Sequence, residues 1–462
     1  MPEGEGDYFS WPLLTDLFPW QHSGSQFKRT WPIGETPDLL EARWQALLST
    51  TEHNRKVAFK ESRDRNIDQT YASIEGSGRR LPPISSLGRG TSSIPTARYA
   101  FRSFDRQWAI PDPRLGDFLR PALWRAQSSR QIYLTTILSD VLGLGPAATV
   151  CSFVPDLHHF SGRGGKDAIS LYRDAEATES NVTNNLLTIV ADALGVEISA
   201  EDIFSYVYAL LASSEYVDKF TEELTMPGPR VPITKTPSLF QRASELGRKL
   251  IWLHTYGARL IPEGEHIGHV PQGQARCRQG IPTEHIAYPE TFSYDPSTKT
   301  LTVGSGIFSP IRPEIFEFSV SGFAVVQSWL NYRMKGGAGR SSSPLDEIRP
   351  ENWTGDMTQE LLEVLWVLEA TVALFPDLKL VFDEIVASEV FRADELPQPA
   401  PEERRPRRKS PKRNSKKWTS KSGPRILRLC AVLVIQVIQL RAASIQSHVT
   451  VRFLGPFRFS CQ

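Results

Sequence analysis

Cysteine is scarce, with four residues in 462 at positions 151, 277, 430 and 461, and no two of them form a C-x-x-C pair. Thiols this far apart are typical of reduced cysteines in a cytoplasmic protein and exclude a disulfide framework. Residues 1–7 are acidic and polar, which is unlike a signal or transit peptide. The apolar run 426–440 is interrupted by Arg428 and two glutamines and is shorter than the ~20 residues that span a bilayer. We therefore expect a cytoplasmic protein with no membrane segment.

Acidic residues are absent from position 404 to the C-terminus, which holds 15 of the 53 basic residues. Residues 1–403 therefore carry 38 basic and 52 acidic residues, a net charge of −14. A body this acidic can bind nucleic acid only through a local basic face. The tail itself could add affinity that is independent of base sequence and sensitive to salt, or it could be a solvated tail with no partner.

Motifs of nucleotide-driven motors and of DNA methyltransferases are also missing. Residues 161–167 are the segment most similar to a phosphate-binding loop. Phe160, just before them, stands where the motif has its first glycine, and Asp167 stands where it has the magnesium-binding hydroxyl. The Pro82-Pro83 pair has no polar or aromatic neighbour of the kind that holds a flipped base. Adjacent His158 and His159 have no further histidine at metal-ligand spacing. We expect no catalytic residues, no metal and no cofactor.

Hydrophobic periodicity predicts an α+β fold, in which a mixed sheet of short strands packs against amphipathic helices. Helices are predicted near 37–48, after an N-cap at Ser199, over 238–254 and over 358–373. Residues 56–65 indicate a solvated helix face, and residues 76–95 a linker. Strands are predicted at 99–101, 131–136, 148–154 and within 286–326, with a hairpin turn at 295–298.

Several segments in a fixed order resemble the C-terminal specificity region of type ISP restriction-modification enzymes, which are bacterial, single-chain and ATP-dependent. They begin with residues 16–24 (DLFPWQHSG) and 27–34 (FKRTWPIG). Residues 99–108 (YAFRSFDRQW) are similar to the family pattern Tyr-Arg-Pro-Phe-Asp-x-Arg-Trp, with departures at Phe101, Ser103 and Gln107. Further matches follow at 199–212, 230–234, 239–247, 321–322, 328–334 and 343–346.

The resemblance implies a target-recognition module that binds double-stranded DNA beside methyltransferase, helicase and nuclease domains. It divides the chain into a connector that would follow the methyltransferase domain (1–95), a target-recognition core (96–345), a helical packing segment (346–400), a basic disordered linker (401–425) and an atypical tail (426–462). The methyltransferase of the family modifies adenine at N6. Because none of its motifs occurs here, we expect a fragment or split subunit without catalytic activity.

Side chains with fork-like donors or acceptors can read base edges in the major groove. On this basis the predicted DNA-binding residues are Arg102, Arg106, Gln107, Arg130, Arg163, Lys166, Arg173 and Asn184, from a wider set that also contains Arg125, Gln131, Asn181 and Asn185. The glycine-rich loop 162–166 can approach a phosphate or be a flexible surface turn. Arg102, Asp105 and Arg106 can instead form internal ion pairs, and Trp108 and Trp124 can pack in the core.

Two other functions remain open from the sequence. One is a methyltransferase with degenerate motifs, and the other is a protein-interaction subunit of a restriction complex, whose helices near 200–254 and 358–373 dock other chains.

Overall fold

The computed structural model describes residues 8–160, 167–335 and 342–405. Arg163, Lys166, the basic linker from residue 406 onwards and the tail 426–462 lie outside the described residues. All described residues belong to one compact unit. None of the helices in these ranges has the length and apolar character that crossing a bilayer requires.

The helices of the described residues are α1 (Leu14–Leu17), α2 (Pro37–Ser49), α3 (Glu52–Phe59), α4 (Pro121–Ala126), α5 (Leu186–Leu194), α6 (Ala200–Leu211), α7 (Ser214–Lys219), α8 (Pro237–His254), α9 (Pro313–Phe316), α10 (Val325–Asn331) and α11 (Gly355–Ala387). Short 3-10 helices occupy Tyr8–Ser10, Ile84–Ser86, Glu223–Thr225, His285–Ala287, Pro344–Glu347 and Ala393–Glu395.

The strands are β1 (Gln21–Ser23), β2 (Ile33–Gly34), β3 (Tyr71–Ala72), β4 (Arg80–Leu81), β5 (Ala97–Arg102), β6 (Asp105–Ala109), β7 (Tyr133–Thr136), β8 (Thr149–Cys151), β9 (Asp167–Ser170), β10 (Arg276–Gln279), β11 (Phe292–Asp295), β12 (Thr300–Val303), β13 (Gly306–Ser309), β14 (Ser319–Val320) and β15 (Phe323–Ala324). They form sheets of order β1-β9-β7-β8, β10-β13-β12-β11 and β2-β6-β5, with two-stranded pairs β3-β4 and β14-β15. The predicted α+β class is confirmed.

Local sequence explains where the principal helices begin. The Ser199 side chain accepts a hydrogen bond from the Asp202 amide, and the Asp202 carboxylate accepts one from the Ser199 amide, so α6 starts with a capping box. The Thr36 side chain caps α2, whose first residue is Pro37. The predicted N-cap at Ser199 and the helix near 238–254 are confirmed.

The buried apolar side chains form two clusters. The larger cluster combines α6, α8 and α11 with the β1-β9-β7-β8 and β10-β13-β12-β11 sheets. The smaller cluster contains Trp31, Trp44, Tyr99 and Leu345, with Ile348 packed against it, and so joins segments on both sides of residues 95 and 345. The functional division at those two positions stays a prediction, because a shared core shows packing and not function.

Candidate nucleic-acid interface

Arg102 at the end of β5 is held by an internal ion pair. Its guanidinium donates to the Asp156 carboxylate at 2.8 Å, stacks over the Phe101 ring at 4.0 Å, and is 13% exposed. The same carboxylate accepts a hydrogen bond from the Tyr99 hydroxyl at 2.8 Å and from the His158 amide at 2.9 Å. These contacts fix the β5 strand against the segment that follows β8.

Arg106 and Gln107 on β6 also have protein partners. The Arg106 guanidinium lies 2.6 Å from the Glu363 carboxylate and 3.6 Å from the centre of the Tyr256 ring. The Gln107 amide donates to Asp105 at 3.2 Å and is 4% exposed in the wall of a narrow cleft. DNA contacts from Arg102, Arg106 and Gln107 stay a prediction. The structure disfavours them, because each of these side chains already has a partner within the protein.

Two other predicted residues, Arg173 and Asn184, contact Glu403, and Arg130 contacts Tyr172, the residue before Arg173. Arg130 is 60% exposed, pairs with Glu201 at 3.0 Å and stacks on Tyr172. Arg173, which follows Tyr172 in the sequence, donates to the Glu403 carbonyl oxygen. The Asn184 backbone amide donates to the Glu403 carboxylate at 2.9 Å. Sequence positions that are far apart therefore share one side of the molecule.

The described structure places three segments without acidic residues next to one another. No Asp or Glu occurs in residues 17–34, 118–139 or 157–166. Gln26 and Phe118 exchange backbone hydrogen bonds of 2.8 and 2.9 Å, and the Leu157 amide donates to the Ser25 carbonyl oxygen at 2.8 Å. In β1, Ser23 pairs with Asp167, at which the described chain resumes. We call the exposed and half-buried side chains of residues 17–34, 118–139 and 157–160 the acid-poor surface.

Arg120 is a cation on the acid-poor surface with no ion pair or side-chain hydrogen bond among the described residues. It precedes α4 with a left-handed backbone, φ 56°, and its Nε has no partner. Burial lowers the pKa of Arg120. Burial, with a smaller effect of the Arg120 charge, lowers the pKa of the neighbouring His22. Arg125 on α4 is exposed and also has no ion pair in the part of the chain that the structure describes.

Phe118 lies between cations at the centre of this surface. The residue is 36% exposed, with the Lys28 amine 4.9 Å and the Arg120 guanidinium 5.5 Å from the ring centre. Lys28 also lies 3.2 Å from the Asp64 carboxylate and 3.5 Å from that of Asp117, at the border of the acid-poor surface. Lys28, Phe118 and Arg120 were not predicted from the sequence. The absence of acidic residues from 118–139 is the signal that could have identified Phe118 and Arg120.

Of the adjacent histidines, His159 is buried and His158 is half-buried. The His159 Nδ1 lies 2.9 Å from the Thr135 hydroxyl, and burial lowers its pKa to about 3, so this imidazole is neutral. Within residues 8–160, 167–335 and 342–405, no group of three or more His, Cys, Asp or Glu side chains is placed to hold a metal ion.

Comparison with known proteins gives one family match, to the type ISP C-terminal specificity domain over residues 16–364. The ATP-dependent type ISP restriction-modification enzyme LlaBIII bound to DNA is similar with a TM-score of 0.55 and 14% identity, over 84% of this chain and 25% of that one. A DrdV–DNA complex gives a TM-score of 0.53 and 14% identity, over 79% of this chain and 36% of that one.

A nuclease-deletion mutant of the type ISP enzyme LlaGI, solved with a DNA substrate mimic, has a TM-score of 0.50 and 16% identity, over 81% of this chain and 29% of that one. At these identities the likenesses establish the fold. The chain spans about a quarter to a third of the length of these solved enzymes. No curated protein matches the sequence.

Proposed function

Because the chain belongs to the type ISP C-terminal specificity domain family, we propose that it is the DNA target-recognition module of a restriction-modification system. Its ligand is double-stranded DNA, and its protein partners are the methyltransferase, helicase and nuclease parts of the same system. It works in the cytoplasm, where those parts meet bacterial DNA. The solved relatives support this proposal, since each was determined with DNA or a DNA mimic.

The acid-poor surface is the observation that carries the proposal. Residues 1–403 have a net charge of −14, so most of this part of the chain repels a polyanion. On the acid-poor surface, Arg120 and Arg125 have no carboxylate partner within the described ranges, and Arg130 is largely exposed. A duplex would therefore approach this surface in preference to the acidic remainder.

Base reading is assigned to the predicted residues that border this surface. Arg130 and Asn184 have the exposure needed to reach a base edge. Arg173 is 11% exposed and bonded to the Glu403 carbonyl oxygen, so a base contact from Arg173 is disfavoured on the same ground as one from Arg102. Arg163 and Lys166 lie in the sequence between Phe160 and β9, outside the described residues, and keep their predicted role as DNA contacts. A bidentate contact from such a side chain is worth ~1–3 kcal/mol of discrimination between bases.

The two alternatives have less support. A methyltransferase acting on a flipped base would need a polar or aromatic loop around the Pro82-Pro83 pair, which the sequence does not provide. A docking role for the predicted helices is disfavoured because nearly all of α6, from Ile203 to Leu211, is buried against the protein's own core. The face that a partner would need on α6 is therefore already covered.

Selection from a randomised duplex library tests the proposed function. The full chain, alone and together with the methyltransferase subunit of its own system, should enrich one sequence. Arg130→Ala should reduce the preference for that sequence over a shuffled one by roughly 5- to 150-fold. Arg242→Gln on α8, which removes a surface pair with Glu384, is the matched control and should leave the preference unchanged. Failure to enrich any sequence under both conditions would contradict the proposal.

A separate assay addresses the catalytic alternative. Transfer of a tritiated methyl group from S-adenosylmethionine to DNA by the purified chain alone would establish a methyltransferase instead. We expect no transfer, since the base-binding and cofactor-binding motifs are missing from the sequence.

A further inference from the structure

We propose that Phe118, Arg120 and Lys28 form a contact for the sugar-phosphate backbone of one DNA strand, separate from the residues that read bases. This inference rests on the proposed function and deepens it, by assigning the sequence-independent part of the affinity to a particular place. The three side chains are a cation, an aromatic ring and a second cation, all on the acid-poor surface.

The backbone that carries the aromatic ring is held in place. Phe118 exchanges backbone hydrogen bonds of 2.8 and 2.9 Å with Gln26, so its main chain belongs to a paired segment. An aromatic side chain of this size usually lies in the core, yet Phe118 is 36% exposed. A deoxyribose is a suitable partner, because it presents an apolar face between two charged phosphates.

The charges on either side of the ring differ in availability. Arg120 has no carboxylate partner in the described residues, so its guanidinium can neutralise a phosphate without breaking an ion pair. Lys28 is shared with Asp64 and Asp117, which partly cancel its charge before any ligand arrives. Arg120 is therefore the principal phosphate donor, and Lys28 contributes less.

A backbone contact fits this cluster better than base reading does. Both cationic groups lie against the same ring, at 4.9 and 5.5 Å, and do not extend from the surface. Reading a base edge requires a side chain that enters the groove, whereas phosphates lie at the outside of the duplex and carry no sequence information directly. The cluster would hold the strand in register while the neighbouring loops select the sequence.

The test compares full-length variants on two duplexes of equal length, one with the selected sequence and one shuffled, over a series of salt concentrations. Arg120→Gln should weaken binding to both duplexes by the same factor, roughly eightfold at about 0.1 M salt, and lower the slope of log K against log salt by about 1. Lys28→Gln should have a smaller effect on both quantities. Phe118→Ala should weaken both complexes while leaving the slope unchanged.

Two controls make the outcome decisive. Lys249→Gln removes an exposed cation from α8, outside the acid-poor surface, and should change neither affinity nor slope. Since the Arg120 side chain makes no hydrogen bond or ion pair in the described residues, its variant should melt at the wild-type temperature. The basic tail is common to all variants and cancels in the comparison.

Failure of this inference can be told apart from failure of the proposed function. If the wild-type chain discriminates between the two duplexes and Arg120→Gln leaves the salt slope unchanged, or weakens only the selected duplex, the backbone contact is wrong. If Arg120→Gln lowers the slope but the wild-type chain binds both duplexes equally well, the backbone contact holds and sequence recognition does not.

Discussion

At the scale of single residues, a buried ion pair connects two segments that resemble the family pattern. Asp105 on β6 and Arg333 after α10 lie 2.8 Å apart with side chains only 2% and 1% exposed. The guanidinium also lies 3.7 Å from the Trp329 ring and donates to the Trp329 carbonyl oxygen at 3.1 Å. The matching residues in 99–108 and 328–334 are therefore conformational anchors for the β5-β6 hairpin.

Asp105→Asn should lower the free energy of unfolding by about 3 kcal/mol, since it removes the nearer and more deeply buried of the two carboxylates that compensate the Arg333 guanidinium, the other being Glu360 at 3.8 Å, while keeping nearly the same shape. Urea unfolding of the full chain measures the change. The control is Glu384→Gln, which breaks the more exposed pair with Arg242 and should cost less than about 1 kcal/mol. Equal effects of the two variants would show that Asp105 has no special structural role.

The ion-pair partners of these charged residues could not be predicted from the sequence. Residues 99–108 hold two arginines and one aspartate, which allowed either DNA contacts or internal ion pairs. The structure supplies Asp156 for Arg102, Glu363 for Arg106 and Arg333 for Asp105, and each lies at least 54 positions away. Pairings over such separations depend on tertiary packing, which local patterns do not encode.

At the scale of elements, helices α6 and α8 cross at a point where their backbones nearly touch. A Cβ atom on Gly247 would lie 1.8 Å from the Ser205 carbonyl oxygen and 2.5 Å from its carbon. Glycine is unfavourable inside a helix, so its presence in the middle of α8 reflects this close approach and not local propensity.

Gly247→Ala should therefore destabilise the protein by about 2–4 kcal/mol, because the added methyl group forces the two helices apart and loosens a well-packed core. Gly355→Ala is the matched control at the start of α11, where no atom lies within 4 Å of the added Cβ, and it should be neutral or stabilising by up to about 1 kcal/mol. Thermal and urea unfolding measure both variants. A neutral Gly247→Ala would mean that the helices are not in backbone contact.

Sequence periodicity located the main helices but not all of their ends. The helix predicted over 358–373 runs from Gly355 to Ala387, because Leu374, Leu378 and Val381 extend its buried face past Pro376. The helix face predicted over 56–65 ends at Phe59, where Lys60 adopts a left-handed backbone with φ 60°. The hairpin turn predicted at 295–298 is confirmed, with the Asp295 carboxylate accepting hydrogen bonds from Ser297 and Thr298. Helix α5 was not predicted.

At the scale of the whole molecule, the fold brings segments without acidic residues together, whereas the sequence gives only the total numbers of acidic and basic residues. The excess of carboxylates in residues 1–403 argued against DNA binding, and the lack of acidic residues in three separate segments had no evident meaning. Only the backbone pairing of Gln26 with Phe118 and of Ser25 with Leu157 brings those segments together. The α+β class and the family resemblance were readable from the sequence, whereas the position of a local basic face was not.

If charge distribution decides where DNA binds, a single added carboxylate should matter on the acid-poor surface and nowhere else. Ser129 is exposed between Arg125 and Arg130, so Ser129→Glu should weaken duplex binding roughly 3- to 10-fold at low salt through local repulsion of phosphates. The loss should shrink as salt rises to about 0.5 M, where the Debye length falls below the distance to most phosphates. Ser238→Glu places the same charge at the start of α8 and should leave binding unchanged. Equal losses for the two variants would mean that net charge alone governs affinity, and that the acid-poor surface has no part in binding DNA.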